Sequence, residues 1–242
     1  MPYRKEKFEN GDIAHVILHA LDENDVFKDT DDYFRGIFSL YEFNNLNPVS
    51  IFRRRMSRMA FKRKNVRGPT SYIFVDERDR MVDILCFCFM PNHIHILVRQ
   101  IKEGGITEFM RKVGTGYGGY FNRKNRRRGH VFRNSFSAIK IKTDEQLKIV
   151  FAYIHANPIS LVYKDWKKIR IKENDLNRII RFLEKYKWSS YLDYIGIQNF
   201  SSVTQRDFFL DLFGGEEGYK NFFEDYIKNK GELSKYEELF LE

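Results

Sequence analysis

Two histidines one residue apart, His93 and His95, sit in the run Met90-Pro91-Asn92-His93-Ile94-His95-Ile96-Leu97-Val98. Their neighbours are strand formers. On a strand, positions i and i+2 leave the same face, about 6–7 Å apart at the backbone. Imidazole is the commonest protein metal ligand, so the pair reads as a two-pronged clamp, with Ile94 and Ile96 packing on the opposite face. The bland alternative is two histidines on a half-solvated strand.

A second set lies downstream in Val150-Phe151-Ala152-Tyr153-Ile154-His155-Ala156-Asn157-Pro158. Tyr153 and Asn157 are four apart and share a helix face. If that face meets the histidines, the two imidazoles and the Asn157 amide oxygen can hold a divalent ion with positions open to phosphate oxygens. The Tyr153 phenol is then the nucleophile. Against this, Tyr153 is one of 14 tyrosines and reads equally as a buried aromatic. Asn157 reads equally as a helix C-terminal residue before proline. His155, two positions from Tyr153, points away from it; His155 and His130 read as structural or partner-facing rather than as ligands.

These residues need elements to position them. The pattern predicts a strand over 13–21 and a helix over 30–44 that Thr30 can cap. Strands follow over 72–76 and 81–89, then the histidine strand. A helix over 106–122 contains Gly114, Gly116, Gly118 and Gly119, each costing about 1 kcal/mol against Ala. A strand over 130–142 leads to a helix from Glu145, capped by Thr143-Asp144, that ends before Pro158. Short helices over 175–186, 189–194, 204–213 and 218–228 complete the chain. The order β-α-β-β-α-β-α predicts an α+β fold, an antiparallel sheet with helices on one face. The best candidate domain boundary is 196–203.

The chain has 242 residues, 43% hydrophobic, with 23 Phe and 14 Tyr. That is ample for a core, which excludes a disordered protein. Lys and Arg number 42 against 33 acids, a net charge of +9, which points to a polyanion such as nucleic acid. The surplus is concentrated in 53–67, where Arg53, Arg54, Arg55, Arg58, Lys62, Arg63, Lys64 and Arg67 are met by no acid. It recurs in Arg123, Lys124, Arg126, Arg127 and Arg128. A run this one-sided repels itself unless phosphates neutralise it. Tyr120, Phe121 and Phe132 read as base-stacking residues or as core, the latter favoured for the two phenylalanines. Cys86 and Cys88 read as core packing rather than a zinc fragment. Two cysteines, no signal peptide and no long apolar run lead us to expect a protein of the reducing cytoplasm, off the membrane.

The run from Met90 to Val98 resembles the HUH motif of single-tyrosine HUH transposases. Tyr120-Phe121-Asn122-Arg123, Gly129-His130-Val131-Phe132, Tyr153-Ile154-His155-Ala156-Asn157-Pro158 and Trp188-Ser189-Ser190-Tyr191 follow in that family's order, over roughly residues 8–196. The branch resembled is the REP-associated tyrosine transposases, relatives of bacterial insertion-sequence transposases. The resemblance implies a ferredoxin-like sheet with the HUH strand central, carried by residues 1–196 with a basic insertion at 45–70 and a helical extension at 197–242. It implies a single-strand DNA nickase and ligase acting beside hairpin DNA, as a monomer or homodimer. It makes His93, His95 and Asn157 ligands of Mg²⁺ or Mn²⁺, and Tyr153 the nucleophile that forms a 5′-phosphotyrosine. By ligand preference alone, two imidazoles lean toward Mn²⁺ or Zn²⁺. Relatives carry His-Val-x-x-Arg-Gly on the first strand; here the run is His15-Val16-Ile17-Leu18-His19-Ala20, without the arginine or glycine, and a DNA contact there is in question. Arg133, a further DNA-contact candidate, stands where many relatives have Gln. The rival readings are a hairpin-binding protein that has lost nicking, and a metal phosphodiesterase that uses water.

Overall fold

The computed structural model describes residues 7–50, 56, 76, 78–133, 135–164, 166 and 171–229. The basic stretch 53–67 and the expected strand 72–76 lie outside them, apart from Met56 and Asp76. Strands β1 (Ile13–His19), β2 (Val82–Phe89), β3 (His93–Gln100) and β4 (Ser137–Lys140) form one antiparallel sheet in the order β2-β3-β1-β4. The histidine strand β3 is therefore central. With α1 (Thr30–Phe43) and α2 (Gly105–Lys124), the core is the β-α-β-β-α-β arrangement expected for a ferredoxin-like fold.

Alternation along the strands sorts the core into two layers. Ala14, Val16 and Leu18 of β1 and Ile94, Ile96 and Val98 of β3 face one side, where they pack with residues of α1 and α2. These two helices share one face of the sheet, as expected, but the helix expected from Glu145 lies on the other face, because the strands are apolar on both sides and both need cover. Leu85, Cys86, Cys88 and Leu97 point to the other side. A bulge between Ile84 and Cys86 keeps β2 in step there. That second face is covered by α3 (Asp144–Ala156), followed by a short 3₁₀ turn, Asn157–Leu161. Helices α4 (Glu173–Leu183), α5 (Tyr191–Tyr194), α6 (Asp207–Phe213) and α7 (Glu216–Asn229) add to this layer. Both cysteines are free and fully buried in the core, and desolvation pushes their thiols well above the usual range.

Three local readings are corrected. Thr30 is the first residue of α1, and the cap is Asp29, whose carboxylate accepts from the Asp32 N–H at 3.1 Å. β1 stops at His19, after which Leu21–Glu23 forms a 3₁₀ turn. The strand expected over 130–142 is confined to Ser137–Lys140, with one isolated bridge between Ala20 and Phe132. Thr143 caps α3 as read, accepting from Gln146 N–H at 3.2 Å.

Two glycines of the helix pair, Gly36 and Gly116, have packing reasons. A Cβ on Gly116 of α2 would lie 2.0 Å from the Phe43 ring, and one on Gly36 of α1 would lie 2.3 Å from the Phe89 ring. Phe89 is fully buried and has little room to move. Gly36→Ala gains about 1 kcal/mol of helix propensity and incurs an overpacking cost of about 1–3 kcal/mol. We expect Gly36→Ala to lower the urea midpoint despite its better propensity; an equal or higher midpoint contradicts the packing argument.

A buried polar chain ties α3 to β2 and α7. His155 Nδ1 lies 2.6 Å from the Tyr219 hydroxyl and Nε2 lies 2.8 Å from Ser190 Oγ. Ser190 Oγ also accepts from Phe87 N–H at 2.9 Å and donates to the Phe87 carbonyl at 3.3 Å. A neutral imidazole satisfies all of them: Tyr219 donates to Nδ1, and Nε2–H donates to Ser190. Full burial lowers the His155 pKa from 6.5 to about 3. The unfolded chain therefore takes up a proton below about pH 6.5 that the folded chain refuses until about pH 3. Stability from this group is complete above pH 6.5 and falls with pH through that window, by up to about 1.4 kcal/mol per pH unit. Thermal melts between pH 7 and pH 4 should show a His155→Gln variant that starts less stable and loses less on acidification. Parallel curves for the two proteins would contradict this account.

Candidate active site

The histidine face is richer than the His-x-His motif alone. In the β1–β3 ladder His19 pairs with His93 and Ile17 with His95. Strand alternation then puts His15, His19, His93 and His95 on one face. The His93 and His95 rings are 4.8 Å apart, centre to centre, and His19 and His93 are 5.4 Å apart. His15 Nε2 is 3.0 Å from His95 Nδ1. His15 and His95 are fully buried, whereas His19 and His93 are half-buried at the rim.

Helix α3 brings Tyr153 onto these rings. The phenol ring lies 5.7 Å from His95 and 5.9 Å from His15, edge-on to both. Tyr153 is only 1% exposed. Tyr153 therefore meets His95 within a single chain, with His93 packed against His95. Asn157, at the end of α3, is also buried and donates from Nδ2 to the Tyr153 carbonyl at 3.2 Å, so its amide is fixed on the tyrosine's own turn. His155 faces away, into the Ser190–Tyr219 chain, as its offset of two from Tyr153 requires.

The donor chemistry suits a divalent ion. Two imidazoles bound to one ion at about 2.1 Å have ring centres about 4.5–5.5 Å apart, and the His93–His95 spacing falls in that range. Among the described residues, no group of three or more His, Cys, Asp or Glu is arranged to hold a metal. The two imidazoles are the donors brought to that spacing, while Asn157 is placed on the turn that carries Tyr153.

Basic residues approach the rim. The segment after α2 runs beside the end of β1: Leu21 N–H donates to Val131 O and Arg133 N–H to His19 O. Arg123, Arg126, Arg127, Arg128 and Arg133 are exposed. Arg127 donates to the His130 carbonyl and Arg133 lies 3.5 Å from Glu23. Lys124 differs, since its ammonium is held by Asp29 at 2.7 Å and Asp32 at 2.6 Å. Phe121 and Phe132 are core residues, and Tyr120 is half-buried with its hydroxyl donated to Asp32. The functional reading of the motifs passed over His15 and His19. The signal was present, because positions 15 and 19 share a strand face with the period of two, but only the β1–β3 register shows which histidines they meet.

Residues 44–157 match the family model of IS200-like transposases. That stretch is similar to the family's and carries His93, His95, Tyr153 and Asn157. Among solved structures it is similar to a REP-associated tyrosine transposase bound to a REP hairpin, with 13% identity over 83% of this chain and 89% of that one and a TM-score of 0.47. No curated protein matches it. Among the described residues no helix is long and apolar enough to cross a membrane.

Proposed function

We propose that the protein cuts and rejoins single-stranded DNA beside a hairpin, with Tyr153 as nucleophile. The observation that carries this reading is the packing of the Tyr153 ring 5.7 Å from the His95 ring within one chain. The phenol oxygen attacks the scissile phosphorus, a Tyr153–phosphorus bond forms, and the bond to the 3′-oxygen breaks. The phenolic proton leaves and a proton reaches the 3′-oxygen, giving a 5′-phosphotyrosine and a free 3′-hydroxyl. Attack by a 3′-hydroxyl reverses the step without ATP. His93, His95 and Asn157 would hold Mg²⁺ or Mn²⁺, which when bound polarises the phosphate and stabilises the leaving oxygen. A phosphate enters from the half-exposed His19–His93 rim, since His95 and Tyr153 are buried. The basic stretch 53–67 and the turn 123–128, with Arg133, contact the DNA backbone. Residues 1–196 form the catalytic unit, with 197–242 as its extension, acting in the cytoplasm as a monomer or homodimer.

Labelled hairpin-bearing oligonucleotides with Mn²⁺ test the chemistry. A denaturation-resistant protein–DNA adduct is expected, absent in Tyr153→Phe, which loses only a hydroxyl. Cleavage that releases a 5′-phosphate without an adduct would favour water as the nucleophile, and binding without cleavage would leave a hairpin-binding protein.

The DNA contacts have their own signature. Replacing Arg126 and Arg128 by Ala should weaken hairpin binding and reduce the slope of log affinity against log salt by about one per lost phosphate contact. Lys124→Ala should change the slope less, because that ammonium already faces two carboxylates. An equal loss of slope in both proteins would contradict this assignment.

A further inference from the structure

We infer that His15 is a positioning residue for His95: it accepts the His95 Nδ1–H and so leaves His95 Nε2 as the nitrogen offered to a divalent ion. This rests on the metal reading of the site. The observation is the 3.0 Å contact between His15 Nε2 and His95 Nδ1, made where both residues are fully buried. A hydrogen bond between two ring nitrogens needs one protonated and one bare nitrogen. Two arrangements satisfy it, and they have opposite consequences. If His15 donates, neutral His95 carries its proton on Nε2 and has no lone pair there for an ion. If His95 donates from Nδ1, its Nε2 carries the lone pair through which an imidazole ligates. Metal-bound histidines usually donate their other N–H to a fixed acceptor, which sets both tautomer and ring orientation. Here the acceptor is another imidazole on the neighbouring strand.

The fold makes this acceptor rigid. His15 is interior to β1, which pairs with β3 on one side and β4 on the other. Its ring is nearly parallel to His95, at 19° and 5.2 Å, and meets Tyr153 edge-on at 5.9 Å. One side chain therefore touches both the ligand candidate and the nucleophile candidate. The His19 ring meets His93 instead, and His93 Nδ1 lies 2.6 Å from the Asn92 side-chain oxygen. The two histidines of the pair are thus oriented by different partners, His93 by its sequence neighbour and His95 across the sheet.

Two measurements on the full chain test this. Long-range ¹H–¹⁵N correlation spectra of the metal-free protein report the tautomer of His95 directly. The Nδ1–H form is expected, and an Nε2–H form overturns the proposal. Mn²⁺ titration followed by paramagnetic resonance gives affinity without reference to cleavage. His15→Phe keeps the ring volume and removes the acceptor, and should weaken Mn²⁺ binding about 10–100-fold. His15→Gln, whose amide oxygen can accept the same proton, should recover much of the loss. This recovery separates positioning from a general packing defect, and equal weakening in both variants counts against it. Loss of binding in His95→Ala with wild-type affinity in His15→Phe overturns the role of His15 and leaves the metal reading standing. A wild-type protein that binds no Mn²⁺ overturns both.

Discussion

The register of β1 against β3 is the constraint on which the site depends. Pairing Ile17 with His95 and His19 with His93 puts four imidazoles on one face of the sheet. A slip of one residue in either strand would turn its histidines into the α1–α2 layer and its aliphatics out of it. What prevents the slip is the other face. Ala14, Val16, Ile94, Ile96 and Val98 are all fully buried there, and moving one strand by one position would lift its share of that apolar area out of its layer. The apolar layer fixes the polar one.

Helix α3 supplies the other half, and its placement is set from its far side. Phe151 stacks on Phe209 at 3.8 Å, and His155 bonds Tyr219 and Ser190. Tyr153, between them in sequence, turns the opposite way to the histidines. The side chains that dock α3 on the C-terminal helices therefore aim Tyr153 at the sheet. Asp193 ties the connecting segment down as well: its buried carboxylate accepts from the Asn199 and Phe200 N–H groups, each at 2.9 Å.

Much of this was legible in the sequence because the signals are local. The His93–His95 face follows from a period of two, the Tyr153–Asn157 face from helical spacing, and the end of α3 from Pro158. The element order gave the sheet class for the same reason. What escaped was non-local. Nothing near His15 says that its ring will meet His95, 80 positions away, since that contact is made by strand pairing. The shortening of the strand expected over 130–142 is similar: residues 129–133 look extended, but they bond to the end of β1 through single contacts rather than a ladder. The Asp29 cap shows the remaining error, a choice between adjacent residues that both can cap. The packing of α6 and α7 against α3 was also invisible, because an amphipathic helix states that it has a buried face and not which surface covers it.

The burial of the site bears on what it is for. His15, His95 and Tyr153 lie in or beside an otherwise apolar layer, where aliphatic residues of similar volume would fill the space without desolvating two imidazoles and a phenol. A layer built for stability alone has no use for them. Their rings instead pack together, His15 on His95 and the Tyr153 ring edge-on to both, beside a rim where His19 and His93 are half-open and Arg133 follows in the chain next to His19. Buried groups hold geometry; rim groups meet solvent and ligand. In the dry interior a fixed imidazole dipole acts with little screening, so a phosphate drawn to the basic rim would meet pre-oriented groups with no reorganisation left to do. The two strands that carry the histidines are the two inner strands of this sheet, so the desolvation that costs folding energy is also what holds the four rings in a fixed arrangement.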